Sequence, residues 1–285
     1  MKILLPLDGS ELSEAILPWV AELARRWQAE VLLLRAIDPF TATTPALQLG
    51  IALSVQEKAV NAAEQYLDSV AKQFPADAVK IQWELGAPRE QIVETAARKD
   101  CQLIVMASHG RSGPTRWLLG SVAEGVLRQA RCPVLLLRPP SIPATAAFQH
   151  ILVPVDGSEA SKAVVERVSP YLAGGGQVTI LRSSGATLYS SAVEIESEVV
   201  QEYFAGLERE LRQIVLEGVD LKVSVVDGEA AESILAYARE HQVDLIAMST
   251  HGRSGFRRFW LGSVTEKVAR NAPCPVLAFP GSVEV

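Results

Sequence analysis

The chain has 285 residues, 48% hydrophobic and 21% charged, with 33 acidic and 27 basic side chains for a net charge of −6. That balance suits a soluble globular protein of one or two domains, and the acidic excess argues against broad electrostatic binding to nucleic acid or anionic membrane. Three cysteines, Cys101, Cys132 and Cys274, without CxxC spacing, fit neither a disulfide framework nor a zinc site and point to a reducing, cytoplasmic setting.

In chain order, residues 2–7 (KILLPL) form an apolar run of the buried-strand kind. The apolar part of this opening is too short for a signal peptide, and no run approaches the roughly 18 residues of a membrane span. Residues 11–27 show helical spacing, with Ile16, Val20, Leu23 and Trp27 on one face. A strand at 31–37, a helix over roughly 52–73, a strand at 79–85 and a helix at 88–99 follow, the last with proline near its start. A strand at 103–108 leads into a glycine-rich stretch. A helix from about Ser121 to Ala130 and a strand at 133–138 close the series.

The same order then repeats. PLDGSELSEA at 6–15 matches PVDGSEASKA at 154–163, and the HGRSG, Gly-Ser-Val and Cys-Pro-Val blocks of 108–134 recur in 250–276. The second copy offers strands at 150–155, 177–183, 221–226, 245–250 and 275–280. Helices are expected from about 160, around 196–216, at 230–241 and from about Ser263. Gly174, Gly175 and Gly176 precede a strand and read as a turn. Prolines and small residues set off a linker at 139–148 between domains 1–138 and 149–285. Continuous apolar strands between helices imply mostly parallel sheets covered on both faces. The fold class is α/β: two tandem doubly wound domains of five strands each.

Such sheets bind ligands beyond the carboxyl ends of their strands, where the strand order switches. Two features sit there in each copy. The first is an aspartate after the first strand, Asp8 and Asp156. Its carboxylate can accept from ribose hydroxyls, or the Asp-Gly-Ser turn can simply start and cap the next helix. The second is the stretch ending in Gly120-Ser121 and Gly262-Ser263, where a helix opens. Exposed amides at a helix start bind anions, and glycine lets backbone approach a phosphate; a long conformational turn is the alternative. Neither GxxxxGK[ST] nor GxGxxG is present. No nucleophile–base pair stands out, and His150 and His241 have no constellation around them.

Together, the strand-Asp start, the HGRSG block, the nine residues to Gly-Ser and the closing CPVLLL and CPVLAF strands resemble universal stress proteins. The resemblance covers both copies. It implies a sheet order of 3-2-1-4-5, pairing through the last strand as an intrachain pseudo-dimer or a homodimer, and a site of the form G-x2-G-x9-G-[ST] for ATP. It also implies the aspartate on the ribose and backbone at the end of the second strand, Ala36 and Ser183, against adenine. Fitted to this pattern, copy one reads Ala107, Gly110, Gly120, Ser121 and copy two Ser249, Gly252, Gly262, Ser263. His109 and His251 join the same rim as hydrogen-bonding loop residues. The first glycine is missing in both copies. An added Cβ costs about 1–2 kcal/mol only where the backbone must be left-handed.

The expectation is therefore a regulator that binds ATP or a related adenine nucleotide, with Mg²⁺ as an accompanying ion, and with copy one the better site. Arg111, Arg116, Arg253, Arg257 and Arg258 either reach phosphates or form a solvated loop face. No water-activating base is evident, so any hydrolysis would be slow. The alternative is a non-nucleotide scaffold or partner-binding dimer of the same fold. A ligase of a related α/β fold ranks last, because its Ser-Gly-Gly-x-Asp-Ser loop is absent.

Overall fold

The computed structural model describes residues 1–38, 49–108, 119–139, 142, 145–183, 206, 209, 219–250 and 261–281. The chain divides into two compact units, Met1–Ala146 and Ala147–Val285. The first contains β1 (Lys2–Pro6), α1 (Glu11–Glu14), α2 (Leu17–Trp27), β2 (Glu30–Ile37), α3 (Leu49–Ala71), β3 (Val79–Leu85), α4 (Pro88–Arg98), β4 (Leu103–Ala107), α5 (Ser121–Gln129) and β5 (Val134–Leu137). Its strands run in the order β3-β2-β1-β4-β5, and each neighbouring pair is parallel.

Burial explains the runs read from the sequence. Ile3, Leu4 and Leu5 of β1, Val31 to Leu34 of β2 and all of β4 are buried. Successive strand residues point to opposite faces, so consecutive burial means that both faces of the sheet are covered. The edge strand β3 is instead half-buried or exposed at every position.

The second unit contains β6 (Phe148–Pro154), α6 (Glu159–Arg167), a single 3₁₀ turn (Ser169–Tyr171), β7 (Leu172–Ser183), β8 (Asp220–Val226), α7 (Ala230–Glu240), β9 (Leu245–Ser249), α8 (Ser263–Asn271) and β10 (Val276–Phe279). The order β8-β7-β6-β9-β10, again parallel, repeats the first unit. Leu152, Leu181, Ile234, Ile246 and Val268 belong to its core. The helix expected around 196–216 falls almost entirely outside the described residues.

Two elements depart from the sequence reading. The helix expected over 11–27 is two helices, broken at Ala15 and Ile16. Pro18 is the cause: it lacks an N–H, and its ring excludes the carbonyl of Glu14 one turn earlier. Ile16, Val20 and Leu23 nevertheless stay buried on one face. The triple glycine is not a turn before a strand; β7 runs through it. Pairing with β6 jumps from Phe148↔Leu172 to His150↔Gln177, so residues 173–176 bulge opposite Gln149. Gly175, at φ +81°, supplies the left-handed backbone that the bulge requires.

Where the proline-rich stretch ends, Trp19 donates its indole N–H to the Thr145 carbonyl at 3.2 Å, and the Ala146 amide donates to Glu22 at 3.2 Å. These bonds fasten that end of the segment to α2. Among the described residues, no helix is long and apolar enough to cross a membrane.

Candidate functional site

In the first unit, the chain leaves β1 toward β2 on one side of the sheet centre, and β4 lies on the other. Their carboxyl ends diverge, and a cavity of about 820 Å³ opens between them. That is the size and the place expected of a small-molecule site in such a sheet. The walls come from the ends of β1, β2 and β4 and the first turns of α4 and α5. A face of α3 completes them with Ala59, Ala62, Ala63 and Tyr66. These four share one face because helical neighbours recur every three or four residues. Three alanines leave open the volume that leucines would fill.

Asp8 lines this cavity and also shapes its own turn. Its Oδ1 accepts from the Ser10 amide at 3.0 Å and the Ser10 hydroxyl at 2.6 Å. Ser10 is the N-cap of α1 and accepts from the Ser13 amide. Between them Gly9 takes φ 71°, a left-handed value that suits glycine. The carboxylate thus holds the turn that starts α1, and the residue lines the cavity.

At the start of α5, Gly120 is extended and has no side chain with which to cap the helix. Its N–H donates to the Ser108 carbonyl at 2.9 Å, which closes a neck between β4 and α5. The Gly120 carbonyl accepts from Glu124. The first amides of the helix with no acceptor in the helix itself are thus those of Ser121, Val122 and Ala123. All three residues line the cavity. Anion-binding capacity rests on these three and on the helix dipole, with Gly120 providing close approach.

Ala107, in the place of the missing glycine, is the last residue of β4 and lines the cavity. Among the described residues other than glycine, only Gln28, Asp100 and Gln242 have positive φ. Neither Ala107 nor Ser249 carries a left-handed strain. Ile104 and Ser108 donate to Pro133 and Leu137 on the β5 side. Because strand amides alternate in direction, that of Ala107 faces the β1 side, where the cavity lies. Ala36 lines the same cavity at the end of β2. Asp8, Ala36, Ala107, Gly120 and Ser121 thus converge.

In the second unit, Asp156 repeats the turn, accepting from Ser158 at 2.9 Å through the amide and 2.6 Å through the hydroxyl. Gly262 repeats the neck, donating to Thr250 at 2.9 Å, and Ser263 opens α8. Two walls differ. Ser183 donates its hydroxyl to Gly228 at 2.5 Å, and Thr265, in the place of Ala123, donates to the Ser249 carbonyl at 2.9 Å. His109, Gly110, His251, Gly252 and the five arginines of the two glycine-rich stretches lie outside the described residues.

Sequence reasoning passed over two cavity residues, Arg35 and Tyr66. Arg35 donates to the Leu7 carbonyl at 3.0 Å, and its guanidinium lies 5.6 Å from the centre of the Tyr66 ring. An arginine in an otherwise apolar strand was the available signal. Tyr66 gave none beyond its place on the alanine face of α3. All three cysteines are free thiols. Burial pushes Cys132 up to about 11 and Cys274 up to about 12, so both stay protonated at neutral pH. Among the described residues, no group of three or more His, Cys, Asp or Glu is placed to hold a metal ion.

The sequence profile of the universal stress protein family matches residues 1–138 and again 147–280. The chain belongs to this family. A universal stress protein of Methanocaldococcus jannaschii is 37% identical over 143 residues, covering 49% of this chain and 82% of that protein. Another, from Mycolicibacterium smegmatis, is 25% identical over 288 residues and covers 96% of this chain and 95% of its own. The crystal structure of a universal stress protein from Archaeoglobus fulgidus matches with a TM-score of 0.71 at 25% identity, covering 98% of both chains. The last two span both units, as a tandem universal stress protein requires.

Proposed function

We propose that this universal stress protein binds ATP or a related adenine nucleotide in the cavity of its first unit and acts as a cytoplasmic regulator. The observation that carries this reading is the convergence of Asp8, Ala36, Ala107, Gly120 and Ser121 on one cavity of about 820 Å³. The site is graded along its length. Amides at the start of α5 suit phosphate, the Asp8 carboxylate suits ribose hydroxyls, and the end of β2 with the alanine face of α3 suits a flat base. An accompanying Mg²⁺ would take its oxygen ligands mainly from the phosphates and water, since the described side chains form no acidic cluster. The proposal is one of binding, not of catalysis. The second unit, with extra hydroxyls tied into its walls, is the weaker site.

The test is acid extraction of the purified protein, with chromatographic identification of any adenine nucleotide, followed by calorimetric titration with ATP. Binding with about one site per chain is expected. No heat and no retained nucleotide at millimolar ATP would dismiss the reading.

A further inference from the structure

His150 and His241 stand apart in the sequence, but the second unit brings them together near the amino ends of its strands, away from the aspartate turn. The His150 ring makes two contacts. Its Nδ1 lies 3.3 Å from the His241 carbonyl at the end of α7, and its Nε2 lies 2.9 Å from the Thr179 hydroxyl on β7. A carbonyl only accepts, so Nδ1 carries the proton of the neutral ring, and Nε2 accepts from Thr179, which is fully buried. The amides of Gln149 and His150 donate to the Asp244 carboxylate at 2.7 and 3.1 Å. The first unit builds the same joint from other residues. The Lys2 amide donates to the Gln102 side chain at 2.6 Å, and the Lys2 ammonium donates to the Lys99 carbonyl at the end of α4 at 2.8 Å. Lysine holds its charge across the physiological range, and histidine does not. One copy of the joint is therefore fixed, and the other can titrate.

We propose that His150 is an acid-sensitive clamp of the second unit: the neutral ring ties β6 to β7 and to the end of α7, and its protonation loosens that tie. A proton on Nε2 sets two donors against each other until the Thr179 hydroxyl turns its own proton away. Burial holds the ring below the usual histidine value. The His241 carbonyl and Asp244 act against burial, while the His241 ring and Lys222 of β8 act with it. The fold thus favours the neutral form. Stability drawn from this ring is complete above about pH 6.5, where a histidine of the unfolded chain titrates. It falls as pH drops below that value, until the folded state also takes up the proton. Asp244 works in the opposite sense, because burial raises its carboxyl and protonation relieves a buried charge, so it limits the response. The inference concerns local opening of the second unit and does not depend on nucleotide binding.

The test is hydrogen–deuterium exchange of the full chain, without nucleotide, at about pH 7.5 and about pH 5.5, corrected for intrinsic exchange rates. The opening equilibrium of peptides from β6, β7 and α7 should rise about three- to tenfold at the lower pH, since one proton allows at most about tenfold per pH unit. Peptides from β1, β2 and α4 should change less than about twofold, because their joint holds a lysine. His150→Gln keeps a donor and an acceptor but no titrating group, and should bring the second unit's two values within about twofold of each other. Ring NMR of the four histidines in the wild type gives a readout that needs no variant. His150, assigned through its proximity to the Thr179 side chain, should show the Nδ1–H tautomer at neutral pH and titrate below about 6.5. The proposal is overturned by any of four results: no change in the second unit, an equal change in both units, a response that survives in His150→Gln, or a His150 ring that titrates at or above about 6.5.

Discussion

The two units share a strand order, an aspartate turn and a neck of one hydrogen bond, yet they differ where a ligand would touch them. Asp8 and Asp156 hold their serines with the same pair of bonds, and Gly120 and Gly262 close their necks at the same distance of 2.9 Å. Against this constancy, Ala36 corresponds to Ser183, Ala123 to Thr265 and Glu14 to Lys162. In the second unit, the Ser183 and Thr265 hydroxyls bond to backbone carbonyls. What both copies keep is what the backbone needs to turn; what they vary is the lining of the site. Residues that satisfy both demands, such as Asp8, say little about binding by their presence alone.

The largest expected effect comes from refilling the space that distinguishes the first unit. Ala59→Trp should place an indole in the cavity and weaken ATP binding about a hundredfold or more, which corresponds to about 2.7 kcal/mol. Its circular dichroism should be unchanged. Unaltered affinity would move the site elsewhere, the second unit included. Next in size, Asp8→Ala and Asp156→Ala should each lower stability to denaturant by about 2 kcal/mol, because each turn loses hydrogen bonds to a charged acceptor. Only Asp8→Ala should also weaken nucleotide binding. Equal losses of affinity in both variants would erase the distinction between the units.

Thr265→Ala should cost about 1 kcal/mol in a thermal melt, for one buried hydroxyl bond to the Ser249 carbonyl. It should leave ATP affinity as it was. The smallest effect is expected from restoring the family's first glycine. Ala107→Gly should change ATP affinity less than about threefold, since the alanine carries no left-handed strain, and should cost about 0.5–1 kcal/mol of stability as glycine in a strand end. A tenfold gain in calorimetry would show that the Cβ had been obstructing the site.

Most of the fold was legible in the sequence because both faces of each sheet are covered, so the strands appear as unbroken apolar runs such as LIVMA at 103–107. The break at Pro18 was also written there, in a residue whose effect falls one turn before itself. The bulge in β7 was not. Three glycines report freedom of backbone, and only the register with Phe148 and His150 shows how that freedom is used. At the site, spacing from a known pattern located Asp8, Gly120 and Ser121. It could not show that the Gly120 amide is engaged by Ser108, which leaves the first α5 amides without an acceptor in the helix to Ser121, Val122 and Ala123. Tyr66 was invisible because nothing in the spacing shows which face of α3 meets the cavity.

The neck has one more implication. A single bond, Gly120 to Ser108 or Gly262 to Thr250, pins the helix start to the end of its strand whatever lies between them in the chain. Closing a loop that is already pinned at its base depends only weakly on length. A change in the number of residues between the two pinned ends should therefore cost little stability, because the start of the helix stays tied to the end of its strand.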